Sequence, residues 1–391
     1  MEKGKKPRLF FIYLATFVNI VGFGMIFPLL PFYAKHFNAS EAQVGLLAAT
    51  FAIAQFLFSP FWGRLSDRFG RKPIIAISLL GAAIASIGFG LSNSLFWLFA
   101  ARFLQGLFSS AGLPVSQAYI ADVTSKEDRI KGMSRLGAAL GLGFIVGPGL
   151  GGTLSAYSIQ LPFFVAAAVA LINAFFVQFF LPESLSLKKE KLAIKEGFLN
   201  FKQMYHGLKG ELASFFILMF LWSYALSNNE VAVPIFGAEK LNISASYIGI
   251  IFSIQGLLVT VVQLLVLTKI TKILGEHKTV TLGMILMGIG LYIIPFAPIP
   301  NLMASFMIIA SIGSALARPT LATLISKATK EGQGTTMGVA TAFESLGRVL
   351  GPLIGGYLYY KLGFHSPFTS TAVIILLTLI FVVQIKGFLK D

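Results

Sequence analysis

The sequence has no cysteine and only four histidines, His36, His206, His277 and His365, among its 391 residues. Without cysteine there can be no disulfide, no thiol chemistry and no cysteine-ligated metal, and four scattered histidines argue against a histidine-rich metal centre. We therefore expect neither a metal nor a cofactor. Charged residues are also scarce, at 12% of the chain against 56% hydrophobic residues. So few charges cannot cover the surface of a water-soluble fold of this length, which predicts a membrane protein.

The net charge of +15 does not indicate a nucleic-acid-binding protein. Nucleic-acid sites need basic residues on a wetted face, whereas here they form short clusters between apolar runs. The apolar run from Leu9 to about Tyr33 exceeds the roughly 20 residues that span a bilayer core. It is also too long for a secretory signal and has no small-residue cleavage pattern, so it predicts a first transmembrane helix.

Twelve apolar segments of membrane-spanning length follow one another along the chain. Their interior glycines and prolines are typical of membrane helices, and the short alternating strands of a membrane barrel are absent. The sequence thus predicts an all-α membrane protein with twelve transmembrane helices. The segments lie near residues 9–34, 42–62, 73–92, 95–120, 133–156, 160–181, 211–238, 245–268, 279–297, 299–326, 334–360 and 366–386.

Lysine and arginine are distributed unequally between the two sides of these segments. Alternate loops, with both termini, hold 25 of them, and the other side holds three, Lys35, Lys240 and Lys361. Since basic residues stay in the cytoplasm, both termini and the polar 182–210 segment are predicted to lie on the cytoplasmic side. The protein as a whole is predicted to span the cell (inner) membrane several times.

The chain repeats itself with a period near 204. A glycine–proline run in the fifth segment recurs in the eleventh, which predicts two pseudo-symmetric six-helix bundles, 1–181 and 211–391, joined by a 182–210 linker, as in rocker-type secondary transporters. The glycines let helices approach closely and the prolines allow a bend, so we expect a helix-packing hinge. Its residues are Gly143, Gly147, Pro148, Gly151 and Gly152, repeated as Gly347, Gly351, Pro352, Gly355 and Gly356.

The loop between the second and third segments carries the most specific motif. It runs from Gly63 through Asp67, Arg68, Gly70 and Arg71 to Pro73. The glycines permit a tight turn, and the aspartate can pair with an arginine or a helix amino terminus. We expect Asp122, at the end of the fourth segment, to pair with this loop, so that these residues form a conformational latch on the cytoplasmic side.

This loop resembles the signature of the major facilitator superfamily, and the resemblance extends over essentially the whole chain. The segments Gly22–Pro31 and Arg102–Gly106, with the glycine–proline runs, are similar to the drug/proton antiporter branch, which includes tetracycline exporters. The resemblance implies alternating access, proton coupling and multidrug efflux linked to antibiotic resistance. Two positions depart from the tetracycline exporters, because Asn19 stands where those proteins carry an aspartate, and a second acid of theirs falls at Ala85 or a close neighbour. These losses argue against tetracycline as substrate and imply that coupling residues lie elsewhere.

Two acids lie deep in the predicted membrane. Glu230 belongs to a polar patch on an otherwise apolar helix, and a carboxyl group in apolar surroundings binds a proton more readily, so it is a coupling or cation-binding candidate. Glu344 precedes Arg348 by one helical turn, which predicts an ion pair that is either structural or broken during transport. Arg102 should face the interior, either in proton transfer, as the resemblance implies, or as a structural anchor.

Other polar and aromatic side chains are candidates for the substrate cavity. An amide turned toward lipid is costly, so helix amides usually point inward, and neighbouring aromatic rings suit a lipophilic substrate. These candidates are Asn19, Phe23, Phe27, Gln55, Gln105, Gln117, Tyr224, Asn228, Asn229, Gln255 and Phe343. Arg318 is placed before a proline, where it can meet an anionic group or a helix end.

Together these features predict a monomeric transporter, not an enzyme, whose partners are a small-molecule substrate, protons and the lipid bilayer. Its expected activity is proton-coupled export of lipophilic compounds, cationic ones included, since no nucleotide-binding loop is present. A symporter or uniporter for a sugar, lipid or other metabolite is the alternative on the same fold. A non-transporting receptor is a third, for which an appended soluble domain would be expected.

Overall fold

The computed structural model describes residues 9–184, 212–329 and 333–388, and within these ranges the regular structure is entirely helical. Most of the predicted 182–210 linker, including His206, lies outside the described residues, as do the basic residues of positions 1–8. The prediction of an all-α protein is confirmed.

Within the described ranges, twelve helices follow the order of the twelve predicted segments. The first six are α1 (Leu9–His36), α2 (Glu41–Phe69), α3 (Arg71–Gly90), α4 in two pieces (Leu95–Ser109 and Gly112–Val123), α5 (Lys126–Ser155) and α6 (Leu161–Phe180). The next six are α7 (Ala213–Leu241), α8 (Ala245–Leu274), α9 (Glu276–Phe296), α10 (Pro300–Ala328), α11 (Gln333–Leu362) and α12 (Ser366–Phe388).

Eight of the helices in the described ranges are long and apolar enough to cross a membrane by length and composition alone. Two of the remaining ones have physical reasons to fall short. Helix α4 is interrupted at residues 110–111, so neither piece is long enough by itself. Helix α7 spans 29 residues, but Asn228, Asn229 and Glu230 lower its mean hydropathy. Polar residues inside a membrane helix are costly and usually mark a functional position.

The sequence repeat reappears in the backbone. Asn38 and Asn242, which are 204 positions apart, both adopt left-handed conformations, with φ of 57° and 50°. Gly70 and Gly275 also match, with φ of 103° and 80° at the turns before α3 and α9. Helix α5 packs on α1 as α11 packs on α7. The two halves of the chain therefore build the same helix pairs and the same turns.

The described residues divide into two compact units. The first contains residues 9–30 and 53–184, and the second contains residues 31–52 and those from 212 onward. The turn between α1 and α2 thus packs with the carboxyl-terminal helices. A methyl group on Gly356 of α11 would lie 2.5 Å from the carbonyl oxygen of Glu41 and 2.9 Å from the Cα of Gly45. Only glycine permits so close an approach of two backbones.

Side chains reinforce this contact within the second unit. Lys35 Nζ lies 2.8 Å from Glu239 Oε1 and also pairs with Glu41. The hydroxyl of Tyr359 donates to Glu239 Oε2 at 3.0 Å. Lys35 and Glu239 occupy equivalent positions of the repeat, so the ends of α1 and α7 are joined by their own matching residues.

Candidate functional site

The α2–α3 turn is held by a network centred on Arg71. This guanidinium lies 2.5 Å from Asp67 Oδ1 and donates from Nε to Asp122 Oδ2 at 3.0 Å. Its Nη1 also donates to the hydroxyl of Ser66 at 2.6 Å. The structure thus brings together three of the residues expected to form the latch, Asp67, Arg71 and Asp122. Arg68 lies over the Phe69 ring instead, 5.3 Å from its centroid.

Glu183, just after α6, is a member of this network that sequence reasoning missed. Its two carboxylate oxygens accept the backbone N–H groups of Arg71 and Lys72, at 2.9 and 3.1 Å. A carboxylate at the amino terminus of a helix is favoured by the helix dipole. A side chain at Gly70 would collide with this carboxylate and would be strained by the positive φ, so glycine is required there. The acid after Pro182 was the available signal, but its partner is more than 100 positions away.

The two glycine–proline runs lie against neighbouring backbones. A methyl group on Gly147 of α5 would be 2.8 Å from the carbonyl oxygen of Val21 on α1. In the second half, methyl groups on Gly347 and Gly351 would each be 2.5 Å from carbonyl oxygens of α7. Gly143 and Gly151 also face α1, and Gly355 faces Asn228. Because ordinary carbon–oxygen contacts need more than 3 Å, these α1–α5 and α7–α11 seams accept only glycine at those positions.

Arg102 is buried in the first piece of α4, at 2% exposure. Its Nη1 donates to Gln105 Oε1 at 2.7 Å, one turn along the same helix. Gln105 is buried as well. Asn19 lies beside α4, since a methyl group on Gly112 would be 3.2 Å from its Nδ2.

The strongest electrostatic cluster lies in the second unit, around Glu344 of α11. Its Oε1 is 2.8 Å from Arg348 Nη2, as the spacing of four residues predicts. Its Oε2 is 3.1 Å from Nη2 of Arg318 on α10, a partner that the sequence did not reveal. Glu344 is buried, whereas both arginines are about half exposed. Two cations therefore share one buried carboxylate.

The polar patch on α7 is divided between two environments. Asn228 is buried, and its Nδ2 donates to the carbonyl oxygen of Pro367 at 2.8 Å and to Thr371, both on α12. Asn229 is buried, and Glu230 is half-buried. The amide of Asn228 is thus used in helix packing, while Glu230 keeps some exposure.

The remaining cavity candidates are spread through both units. The rings of Phe23 and Phe27 stack with centroids 5.9 Å apart, and Phe343 stacks on Phe216 at 5.7 Å. Gln255 donates to Ser311 at 2.9 Å. Tyr224 is buried, Gln55 is half-buried and Gln117 is exposed.

A cavity of about 550 Å³ lies where α8, α9 and α10 meet, and none of these residues lines it. It is lined by apolar, threonine and glycine positions with Lys272 and Glu276 at its edge. Across the described ranges, no group of three or more histidine, aspartate or glutamate side chains could hold a metal.

Repeated sets of apolar helices with charged side chains packed among them are the arrangement of a multi-pass membrane transporter. The sequence profile of the Major Facilitator Superfamily matches residues 12–229 and 212–386, so the chain belongs to that family of secondary transporters.

Curated relatives and solved structures agree with this membership. Multidrug resistance protein 2 of Bacillus subtilis (strain 168) is 33% identical, over 93% of this chain and 92% of the relative. The class C tetracycline resistance protein of Escherichia coli is 30% identical, over 88% and 87% of the two chains. A bacterial homologue of the human lysosomal transporter Spinster, solved inward-facing and unoccupied, has a TM-score of 0.80 at 17% identity and covers 99% of both chains.

Proposed function

We propose that this protein exports lipophilic drugs or metabolites, cationic ones included, in exchange for protons across the cell membrane, with both termini in the cytoplasm. Relatives that share about a third of the sequence over nine-tenths of the chain are multidrug and tetracycline resistance proteins, which supports this proposal. Substrate, protons and bilayer are then the only partners required, and a single chain suffices.

The observation that carries the proposal is the pair of carboxyl groups within the apolar helices of the second unit. Glu344 is buried on α11 and Glu230 is half-buried on α7. Ionisable groups inside a membrane are costly and mark proton or ion pathways. Since Glu344 is already paired with two arginines, Glu230 is the better candidate to bind and release the coupled proton.

Conformational change in this proposal uses the features already described. The glycine seams of α5 on α1 and α11 on α7 keep each helix pair tightly packed. The network of Asp67, Arg71 and Asp122 holds the α2–α3 turn closed on the cytoplasmic side in one state. Arg102 and Gln105 keep a polar centre within the first unit, where Arg102 can assist proton transfer.

The test uses purified protein in proteoliposomes with an imposed pH gradient and a pH-reporting dye. Lipophilic cations, neutral drugs and sugars are added in turn, and wild type is compared with Glu230→Gln and Glu344→Gln. We expect a lipophilic compound to drain the gradient through wild type and at least tenfold more slowly through Glu230→Gln, because an amide cannot carry the proton.

Asp128→Asn is the matched control, since it makes the same change at an exposed carboxylate outside the apolar core. It should leave proton exchange unchanged. Uptake of a compound without proton movement would favour a uniporter. Proton movement in the same direction as the compound would favour a symporter. Normal exchange by Glu230→Gln would show that the coupling proton binds elsewhere, with Glu344 the next carboxylate to examine.

A further inference from the structure

The Arg318–Glu344–Arg348 cluster has more positive than negative charge. Arg318 Nη2 lies 3.1 Å from one oxygen of Glu344, and Arg348 Nη2 lies 2.8 Å from the other. The glutamate side chain is 5% exposed, while those of Arg318 and Arg348 are 46% and 52% exposed. The carboxylate therefore lies beneath two guanidinium groups that remain accessible.

Neither guanidinium has used its full set of donors. A guanidinium carries five N–H donors, and both arginines contact Glu344 through Nη2 only. Within the described residues, their Nε and Nη1 atoms make no hydrogen bond. A positive charge among apolar helices is stabilised by a second anion, and arginine pairs with planar anions through two parallel hydrogen bonds.

One aromatic ring lies directly beside the Arg318 guanidinium. The Trp222 ring of α7 has its centroid 5.5 Å from Arg318 Cζ, and its indole N–H donates to the Ser314 hydroxyl at 3.0 Å. This hydrogen bond fixes the ring beneath the guanidinium, where a cation–π contact holds the arginine in place. The Arg318 guanidinium thus lies between the Glu344 carboxylate and a buried aromatic ring.

We propose that Arg318 and Arg348 bind the carboxylate or sulfonate group of an amphipathic substrate, whose apolar part lies against the apolar side chains of α7, α10 and α11. The inference rests on the proposed export function and names its substrate class: lipophilic acids and zwitterions. Glu344 acts as a positioning residue that orients both guanidinium groups. A zwitterion would still exchange with a proton, because its cationic end competes for Glu230 while its acid end is held by the arginines.

The test compares three fluorescent probes that share one apolar body, namely 1-pyrenebutyrate, 1-pyrenebutanol and (1-pyrenebutyl)trimethylammonium. Binding to purified full-length protein is followed by energy transfer from tryptophan to pyrene, without any pH gradient. We expect pyrenebutyrate to bind wild type more tightly than the alcohol. Arg318→Gln and Arg348→Gln should each weaken the binding of pyrenebutyrate by about tenfold to hundredfold, which is the loss expected for a charge-assisted hydrogen bond. Binding of the alcohol should change by less than about twofold.

Three further variants separate recognition from structure. Arg129→Gln removes an exposed arginine of the first unit and should change nothing. Arg318→Lys keeps the positive charge but loses the planar guanidinium group. Binding of pyrenebutyrate should therefore weaken less in this variant than in Arg318→Gln. Glu344→Gln keeps an acceptor oxygen that can orient the guanidinium groups and removes the negative charge that competes for them, so pyrenebutyrate should then bind more tightly. Each variant is first shown to elute as a single species in gel filtration.

Equal weakening of all three probes by the arginine variants would show a purely structural role and overturn the proposal. Pyrenebutyrate binding no tighter than pyrenebutanol would also overturn it. These outcomes are distinguishable from failure of the export function, because binding is measured at equilibrium without transport. If the protein exchanges protons for neutral and cationic compounds but not for lipophilic acids or zwitterions, the export function is supported and the proposed substrate class is wrong.

Discussion

Single glycines determine how closely α7 and α11 can pack. At Gly351, an added methyl group would lie 2.5 Å from the carbonyl oxygen of Tyr224, and backbone on both sides leaves no flexible side chain to move away. Gly338 lies on the same helix with nothing within 4 Å of the same added atom. The two positions allow the same substitution to be compared in contact and in open space.

We expect Gly351→Ala to lower the free energy of unfolding by about 1–3 kcal/mol, as overpacking does in tightly packed interiors. Gly338→Ala should be neutral or stabilising by up to about 1 kcal/mol, because alanine favours helix over glycine. Thermal unfolding of both variants in the same detergent checks this. Equal stability of the two would show that the α7–α11 seam can open to admit a side chain.

At the scale of elements, the α2–α3 turn is tied to the ends of α4 and α6. Arg71 contacts Asp122 at the end of α4, and Glu183 after α6 accepts the first two N–H groups of α3. Ser184 also donates to Asp122 at 3.0 Å. The turn is therefore held in place by residues at the end of α4 and just after α6. Its stability depends on contacts between residues that are far apart in sequence.

Glu183→Gln should loosen this turn, because the amide keeps one acceptor oxygen and loses the charge that favours the start of α3. The absence of cysteine from the chain provides a clean measurement, since a cysteine introduced at buried Ser66 is the only thiol. We expect Glu183→Gln to raise the rate of maleimide labelling at Ser66→Cys several-fold. Labelling of Asn93→Cys, in the exposed α3–α4 turn, is the control and should not change. An unchanged rate at Ser66→Cys would show that Arg71 alone holds the turn.

At the scale of the whole molecule, the 25-to-3 distribution of basic residues predicts the orientation in the membrane. This bias predicts that the α3–α4 turn is external and the start of α5 is cytoplasmic. Asn93 and Lys131 are exposed in these two places. A membrane-impermeant maleimide should label Asn93→Cys in intact cells and Lys131→Cys only after the membrane is permeabilised. The reverse pattern would invert the topology and place the Arg71 network outside.

The sequence alone determined the helices and the local pairs. Hydropathy and length are local properties, so twelve segments could be counted with limits close to those of the twelve helices, and the 204-residue period revealed the repeated halves. Glu344 and Arg348 could be paired because four residues make one helical turn. The break in α4 was not predicted, although Gly112 and Pro114 lie beside it, because such residues also occur inside continuous helices, as Pro148 does in α5.

Tertiary structure decided which distant residues meet. Arg318 reaches Glu344 across 26 positions, Arg71 reaches Asp122 across 51, and Glu183 reaches the start of α3 across 111 and 112. The packing of Lys35 against Glu239, 204 positions apart, joins the α1–α2 turn to the second unit. Such pairs depend on the rotation and depth at which helices pack, and an apolar helix can pack at many rotations with similar burial. Only the folded arrangement of glycine seams and side chains selects one of them, and that choice places two arginines on a single carboxylate.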